Sequence, residues 1–203
     1  MKIAIVDYGM GNIKSLISTL AYLGVEDITL SSEYDVLQNA DKIILPGVGS
    51  FAKAMSQIKQ KQLDRYLQDI VVEQKKPLLG ICLGMQLLGS SSTEDGQNIG
   101  LGFVEGEVIK FDDNNLKIPH VGFNQVKINS DLKLYTGFAD SADFYFTHSY
   151  KMVTEKNINQ SYCNYGGNFI ASFETNHIAG VQFHPELSQH NGLKLFRNFI
   201  DQF

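Results

Sequence analysis

The sequence predicts an α/β fold, with a mostly parallel central sheet flanked by helices and an added antiparallel portion in the C-terminal half. Two observations predict it. Through the first hundred residues, short apolar runs alternate with segments whose apolar residues recur at helical spacing. That is the pattern of βαβ units and of a sheet covered on both faces. From about Gly102 the runs become short, aromatic-rich and β-branched, separated by turn signals, as in antiparallel strands.

Taken in order, Lys2–Asp7 is an apolar strand that ends in the turn Gly9-Met10-Gly11-Asn12. Ile13, Leu16, Ile17, Leu20 and Leu23 then mark one face of a helix. Val25–Leu30 and Lys42–Leu45 read as the second and third strands, the latter stopped by Pro46-Gly47. A helical stretch from Phe51 to Gln74 is expected to break near Gln60–Gln62. Pro77–Cys82 is another apolar strand, followed by a helix from about Leu83. The later strands are placed at Phe103–Phe111, Gln125–Ile128, Phe144–Phe146, Phe169–Phe173 and Ile178–Phe183. Turns are expected at Asp112-Asp113-Asn114-Asn115 and Gly166-Gly167-Asn168, and Leu193–Phe203 has the spacing of a closing amphipathic helix. With no repeat, low-complexity tract or linker, residues 1–203 are expected to form one domain.

Composition narrows the class. Hydrophobic residues make up 43% and charged residues 19% of the 203, as in ordinary globular proteins. The net charge of −5 comes with no Lys/Arg cluster, which argues against nucleic acid or an anionic membrane surface as partner. The apolar run of MKIAIVDYGMGN is short and interrupted by Asp7, unlike a signal peptide, and no segment approaches the length of a membrane span. Two cysteines, Cys82 and Cys163, are too few for a disulfide framework, so a reducing cytoplasm is expected.

Gly80-Ile81-Cys82-Leu83-Gly84 carries the most chemistry. An apolar strand ends there and a helix begins, with a glycine on each side of the cysteine, as in the sharp elbow that exposes a nucleophile. Side chains on the flanks would crowd such a turn. A helix N-terminus favours thiolate, and the next backbone N–H can face an oxyanion. The competing reading is a buried structural cysteine between packing glycines. Cys163, within the strand-like Ser161–Tyr165, is assigned to the core.

A nucleophile needs a base. Gly180-Val181-Gln182-Phe183-His184-Pro185-Glu186 alternates like a strand. If extended geometry continues through Pro185, His184 and Glu186 project to the same side, and proline favours that geometry. Glu186 can then hold one imidazole nitrogen while the other takes the thiol proton. By itself a His-x-Glu is more often a surface pair; beside the elbow it completes a triad. His120, His148, His177 and His190 lack such an arrangement.

The combination of Gly80-Ile81-Cys82-Leu83-Gly84-Met85-Gln86 with His184-Pro185-Glu186 resembles the class I, triad-type glutamine amidotransferases, whose fold is flavodoxin-like. Further segments are similar to the family of glutaminase subunits of imidazole glycerol phosphate synthase (HisH). They include Asp7–Asn12, Leu45–Phe51, Pro119–Asn124, Tyr145–Tyr150 and Gln182–Ser188, so the similarity runs the length of the sequence. The resemblance implies that Cys82 attacks the carboxamide of glutamine, that His184 relays protons and that Glu186 orients it. It implies an oxyanion hole from Gly47, Val48, Gly49 and Leu83, and a substrate pocket from Gln86, Ser149 and Tyr150. It implies no cofactor and no metal.

It also implies a partner, a (β/α)8-barrel cyclase that receives the ammonia in histidine biosynthesis. A barrel of that kind needs about 250 residues of its own, and Asn12 and Phe123 match family segments near the interface. The family usually has Met-Gly-Trp at Val121-Gly122-Phe123 and lysine at Leu187, departures that bear on the partner. An alternative partner is a sugar-modifying amidotransferase of bacterial surface-glycan synthesis. A cysteine hydrolase on a similar scaffold is the reading from another class; Gln86 and the distant His184-Pro185-Glu186 argue against it.

Overall fold

The computed structural model describes residues 1–111 and 116–203. The first half builds β1 (Lys2–Val6), α1 (Ile13–Tyr22), β2 (Asp27–Ser31), α2 (Tyr34–Gln38), β3 (Lys42–Leu45), α3 (Phe51–Gln60), α4 (Leu63–Leu67), β4 (Leu78–Ile81) and α5 (Leu83–Leu87). The second half adds β5 (Ser91–Ser92), β6 (Asn98–Ile99), β7 (Glu107–Lys110), β8 (His120–Lys127), β9 (Ser141–His148), β10 (Tyr150–Val153), β11 (Gln160–Asn164), β12 (Asn168–Thr175), β13 (Ile178–Val181) and α6 (Gln189–Gln202).

Nine strands form one sheet in the order β2-β1-β3-β4-β13-β12-β11-β8-β9. Pairing is parallel from β2 to β13 and antiparallel from β13 to β9, the division the sequence predicts. The inner parallel strands are almost wholly apolar, whereas the edge strand β2 alternates. Ile3 to Val6, Ile43 to Leu45 and Leu78 to Leu79 are fully buried. Each large aliphatic side chain so buried stabilises the fold by about 1.5–3 kcal/mol. Two apolar clusters, one on each face, hold the helices against the sheet. Four further strands make a second, smaller sheet in the order β10-β7-β5-β6.

The last strand in sequence, β13, inserts between β4 and β12. Its register sets Gly180 beside Gly80 and Val181 beside Ile81. The carboxyl ends of these two parallel strands therefore stand together, where α/β sheets gather their ligands.

Several elements differ from expectation. The helix after Cys82 is only five residues long, because the chain turns at Gly89 into the small sheet. It is too short for a full helix dipole, and local N–H groups take that role. The strand placed over Phe103–Phe111 shrinks to Glu107–Lys110. The strand placed at Gln125–Ile128 begins five residues earlier, at His120, where polar residues hid the pattern. The long helical stretch breaks at Gln62, which adopts φ 58°, and continues through α4 into a π-helical segment, Gln68–Glu73. The turn expected at Asp112-Asp113-Asn114-Asn115 lies outside the described residues. Among those described, no helix is long and apolar enough to cross a membrane.

Candidate active site

Cys82 sits where β4 ends, with φ 53° and ψ −111°. A non-glycine residue rarely adopts positive φ, and here the surroundings enforce it. Cys82 N–H donates to Val181 O at 2.8 Å, and Cys82 O accepts from Gln86 N–H at 3.2 Å. Gly84 is required by close approach, since a Cβ there would run into the carbonyl of Leu45. Gly80 is pressed against Gly84 and Met85 of the short helix in the same way. The two glycines of the motif thus let the helix fold back on the ends of β3 and β4.

His184 and Glu186 meet, though by another route than simple alternation. Extended backbone stops at His184 (φ −102°, ψ 96°), and Pro185–Leu187 forms a 3-10 turn. That turn brings Glu186 Oε1 to 2.9 Å from His184 Nδ1. His184 N–H donates to Tyr145 O at 2.8 Å, and the Ser188 hydroxyl donates to His184 O at 2.6 Å, so the backbone that carries the ring is held at both its polar groups. Among the described residues two buried side-chain atoms have no hydrogen-bond partner: His184 Nε2 and Glu186 Oε2. Buried polar atoms are rarely left so, and where they are a functional explanation is sought. Burial disfavours charge on His184, but the adjacent Cys82 sulfur and Glu186 outweigh it and raise the imidazole to about 10. With Nδ1 held by Glu186, the unpartnered Nε2 of an imidazole so raised favours binding a proton.

A cavity of about 390 Å³ opens over the sulfur, a size typical of small-molecule sites. Val48, Gly49, Cys82, Leu83 and Gln86 line one side, and His148, Ser149 and Tyr150 line another. Ser149 is the single residue between β9 of the large sheet and β10 of the small one, so the cavity lies at their junction. Gly47 does not border it. It packs tight against the Tyr8 hydroxyl, the Leu83 side chain and the Gly84 backbone nitrogen, leaving no room for a Cβ. The Tyr8 hydroxyl donates to Pro46 O at 2.6 Å and pins the start of that loop. Burial, helped by the Cys82 sulfur, raises the Tyr8 phenol far above its ordinary value and keeps it a donor.

Asn12 lies at the start of α1, and its Nδ2 is 3.4 Å from Glu186 Oε1. Phe123 is half exposed on β8 and stands edge-on to Tyr145. Cys163 is buried in β11, where burial pushes its thiol up to about 12, far from nucleophilic use.

Other residues of the site escape sequence reasoning. Glu94 lines the cavity and accepts from Phe51 N–H at 2.7 Å, at the N-terminus of α3. Gln182, completely buried, accepts from Gln86 Nε2 at 2.9 Å and reaches the Cys82 sulfur at 3.7 Å. His148 and His120 form a buried pair, Nε2 to Nδ1, at 3.0 Å. Burial lowers them to about 3 and about 4, so both are neutral at physiological pH. Gln182 adjoins Phe183-His184 in sequence, a weak signal; nothing in the local pattern marks the others.

Residues 4–203 match the model of the family described as Glutamine amidotransferase class-I. The chain is a class I glutamine amidotransferase. A protein of Campylobacter jejuni (strain RM1221) named imidazole glycerol phosphate synthase subunit HisH 1 is 45% identical to this amidotransferase over 199 residues, 98% of each chain. The subunit HisH of Aquifex aeolicus (strain VF5) is 40% identical over 98% of this chain and 96% of its own. A crystal structure described as glutamine amidotransferase superposes with a TM-score of 0.75 at 17% identity, covering 98% of this amidotransferase and 97% of that chain. At that identity the likeness speaks for the fold.

Proposed function

We propose that this amidotransferase is the glutaminase subunit of an imidazole glycerol phosphate synthase. It hydrolyses glutamine to glutamate and ammonia and hands the ammonia to a (β/α)8-barrel cyclase subunit. The observation that carries the chemistry is the His184 Nδ1 to Glu186 Oε1 contact of 2.9 Å, with the opposite nitrogen unpartnered and next to Cys82. The relatives of 40–45% identity, matched almost end to end, support the histidine-pathway assignment. None of the relatives named here carries a sugar-pathway name, so nothing favours the sugar-modifying partner.

In this reading His184 Nε2 takes the proton of Cys82, and the thiolate attacks the side-chain carboxamide carbon of glutamine. The N–H of Leu83 and those of the Val48–Gly49 loop face the developing oxyanion. The imidazolium then protonates the leaving nitrogen, the C–N bond breaks and ammonia departs, leaving a thioester on Cys82. His184 next deprotonates a water that attacks the thioester and releases glutamate. Glu186 holds the ring in one tautomer and stabilises its charged form. The α-ammonium of glutamine is matched by Glu94, the carboxylate among the cavity's lining residues. Gln86 also offers an acceptor, since both hydrogens of its amide are committed to Tyr150 O and Gln182 Oε1.

Replacing Cys82 by Ala should abolish glutamate release, measured by a coupled assay in the presence of the cyclase subunit, with an unchanged circular dichroism spectrum. Turnover retained by Cys82→Ala would refute the assignment.

A further inference from the structure

Two polar groups lie near the Cys82 sulfur besides the imidazole. Thr147 O, at 3.9 Å, can only accept, so it suits the neutral thiol. The second is the side-chain amide of Gln182, at 3.7 Å. Which end of that amide faces the sulfur decides what it does, because an oxygen there would repel a thiolate and an N–H would hold it.

A backbone carbonyl decides the orientation. Tyr150 O can only accept, so Gln86 must present its nitrogen to it, at 3.1 Å. The second hydrogen on that nitrogen meets the Gln182 side chain at 2.9 Å, which must offer its oxygen. The Gln182 nitrogen is then left pointing at Cys82. Reversing either amide would set two donors or two acceptors face to face in a buried site, a penalty of about 1–3 kcal/mol for each group left unsatisfied. The same carbonyl takes a hydrogen bond from His148 Nδ1 at 2.8 Å. Neutral His148 therefore accepts at Nε2 from His120 Nδ1, and His120 Nε2 faces the amide nitrogen of Asn124 at 3.4 Å. Every donor in this network has an acceptor, and its two arms, one through His148 and one through Gln86, converge on Tyr150 O.

We propose that Gln182 is a further catalytic residue of the glutaminase, whose amide N–H donates to the Cys82 sulfur and stabilises it as thiolate. This rests on the reading of Cys82 as nucleophile. When the S–H bond breaks, the proton passes to His184 Nε2 and the electron pair stays on sulfur beside the Gln182 N–H. The same contact assists at the end of the cycle, when the thioester collapses and sulfur leaves as thiolate. Gln182 is completely buried behind the nucleophile and does not line the cavity. Its loss should act on kcat rather than on KM.

The test is alkylation of Cys82 by iodoacetamide in the full-length chain, followed by mass spectrometry across pH 5 to 10. The chains compared are wild type, Gln182→Met and Gln182→Leu, each with a thermal melt. The titratable side chains facing the sulfur, His184 and Tyr8, are unchanged in all three. Both variants should react at least tenfold more slowly at pH 7, with the rise in rate displaced to higher pH and the same plateau. Gln182→Leu, uncharged and close in volume to glutamine, decides the matter if Gln182→Met does not fold. With the cyclase subunit, kcat should fall at least tenfold and KM change less than twofold. Variants alkylated like a reactive wild type, or slowed only through a lower plateau, would overturn the role of Gln182 alone. A wild-type Cys82 no more reactive than a free cysteine would overturn it together with the nucleophile reading.

Discussion

At the scale of single residues, the site is a set of side chains whose protonation states are fixed by what surrounds them. His184 is raised because a sulfur and a carboxylate flank it, while His120 and His148 are lowered because burial dominates. The two cases have opposite signs in stability. The His184 interactions are fully present below the unfolded value near 6.5 and are lost as pH rises through about 10. For His148 the unfolded chain binds a proton that the fold refuses, so stability is complete above about 6.5 and falls as pH drops towards 3. Between pH 6.5 and 5 that one group should remove roughly 2 kcal/mol. Melting curves at pH 7 and pH 5 should show the loss, and His148→Gln should melt with a visibly smaller pH difference. Equal slopes for the two proteins would remove His148 from the account. The elbow and the His-x-Glu pair could be seen in the sequence because each is a local pattern. Gln182, Glu94 and the histidine pair could not, since their contacts join residues 28 to 100 positions apart.

Among the elements, the decisive one is the turn from β4 into α5. It was legible because glycine on both sides of a cysteine at the end of an apolar run has few other uses. The tertiary contact that demands those glycines was not. Gly84 lies directly on the carbonyl of Leu45, a residue far off in sequence. Gly84→Ala should therefore push α5 off β3 and cost about 1–3 kcal/mol, as overpacking does. Urea denaturation should register that loss together with a drop in glutaminase turnover; a variant of wild-type stability would mean that the helix can move without penalty. The strands were easier to foresee where both faces are buried than where one face is polar. Thus β3 was placed at its observed limits, whereas the start of β8 at His120 was missed, because buried His120 reads as a surface residue in one dimension. Glu186 is another instance. Its pairing with His184 was inferred from strand alternation, but a 3-10 turn achieves it.

Across the whole molecule, the cavity lies where the large sheet hands the chain to the small one, and Val48 on its lining is an exposed apolar residue, as are Val121 and Phe123 on β8 and Leu187 in the turn after His184. A glutaminase that serves a partner should be slow alone. We expect the isolated chain to release glutamate at least tenfold more slowly than the complex with its cyclase subunit, measured under saturating glutamine. Full activity in isolation would contradict the assignment of a dependent subunit. The parallel half of the fold could be read from apolar runs and helical periodicity. The insertion of the last strand, β13, between β4 and β12 could not, because strand order leaves no trace in local pattern.

That insertion bears on biosynthesis. A ribosome that has made two thirds of this protein has already released Cys82, but the strand Leu78–Ile81 still has one side bare, waiting for residues 178–181. Until they emerge, the nascent chain presents a greasy, unpaired backbone edge for chaperones to shield. It also carries a cysteine with no base beside it. On the function proposed above, the late arrival of one short segment both seals the sheet and delivers the base, so an unfinished copy would leave the cell's glutamine untouched.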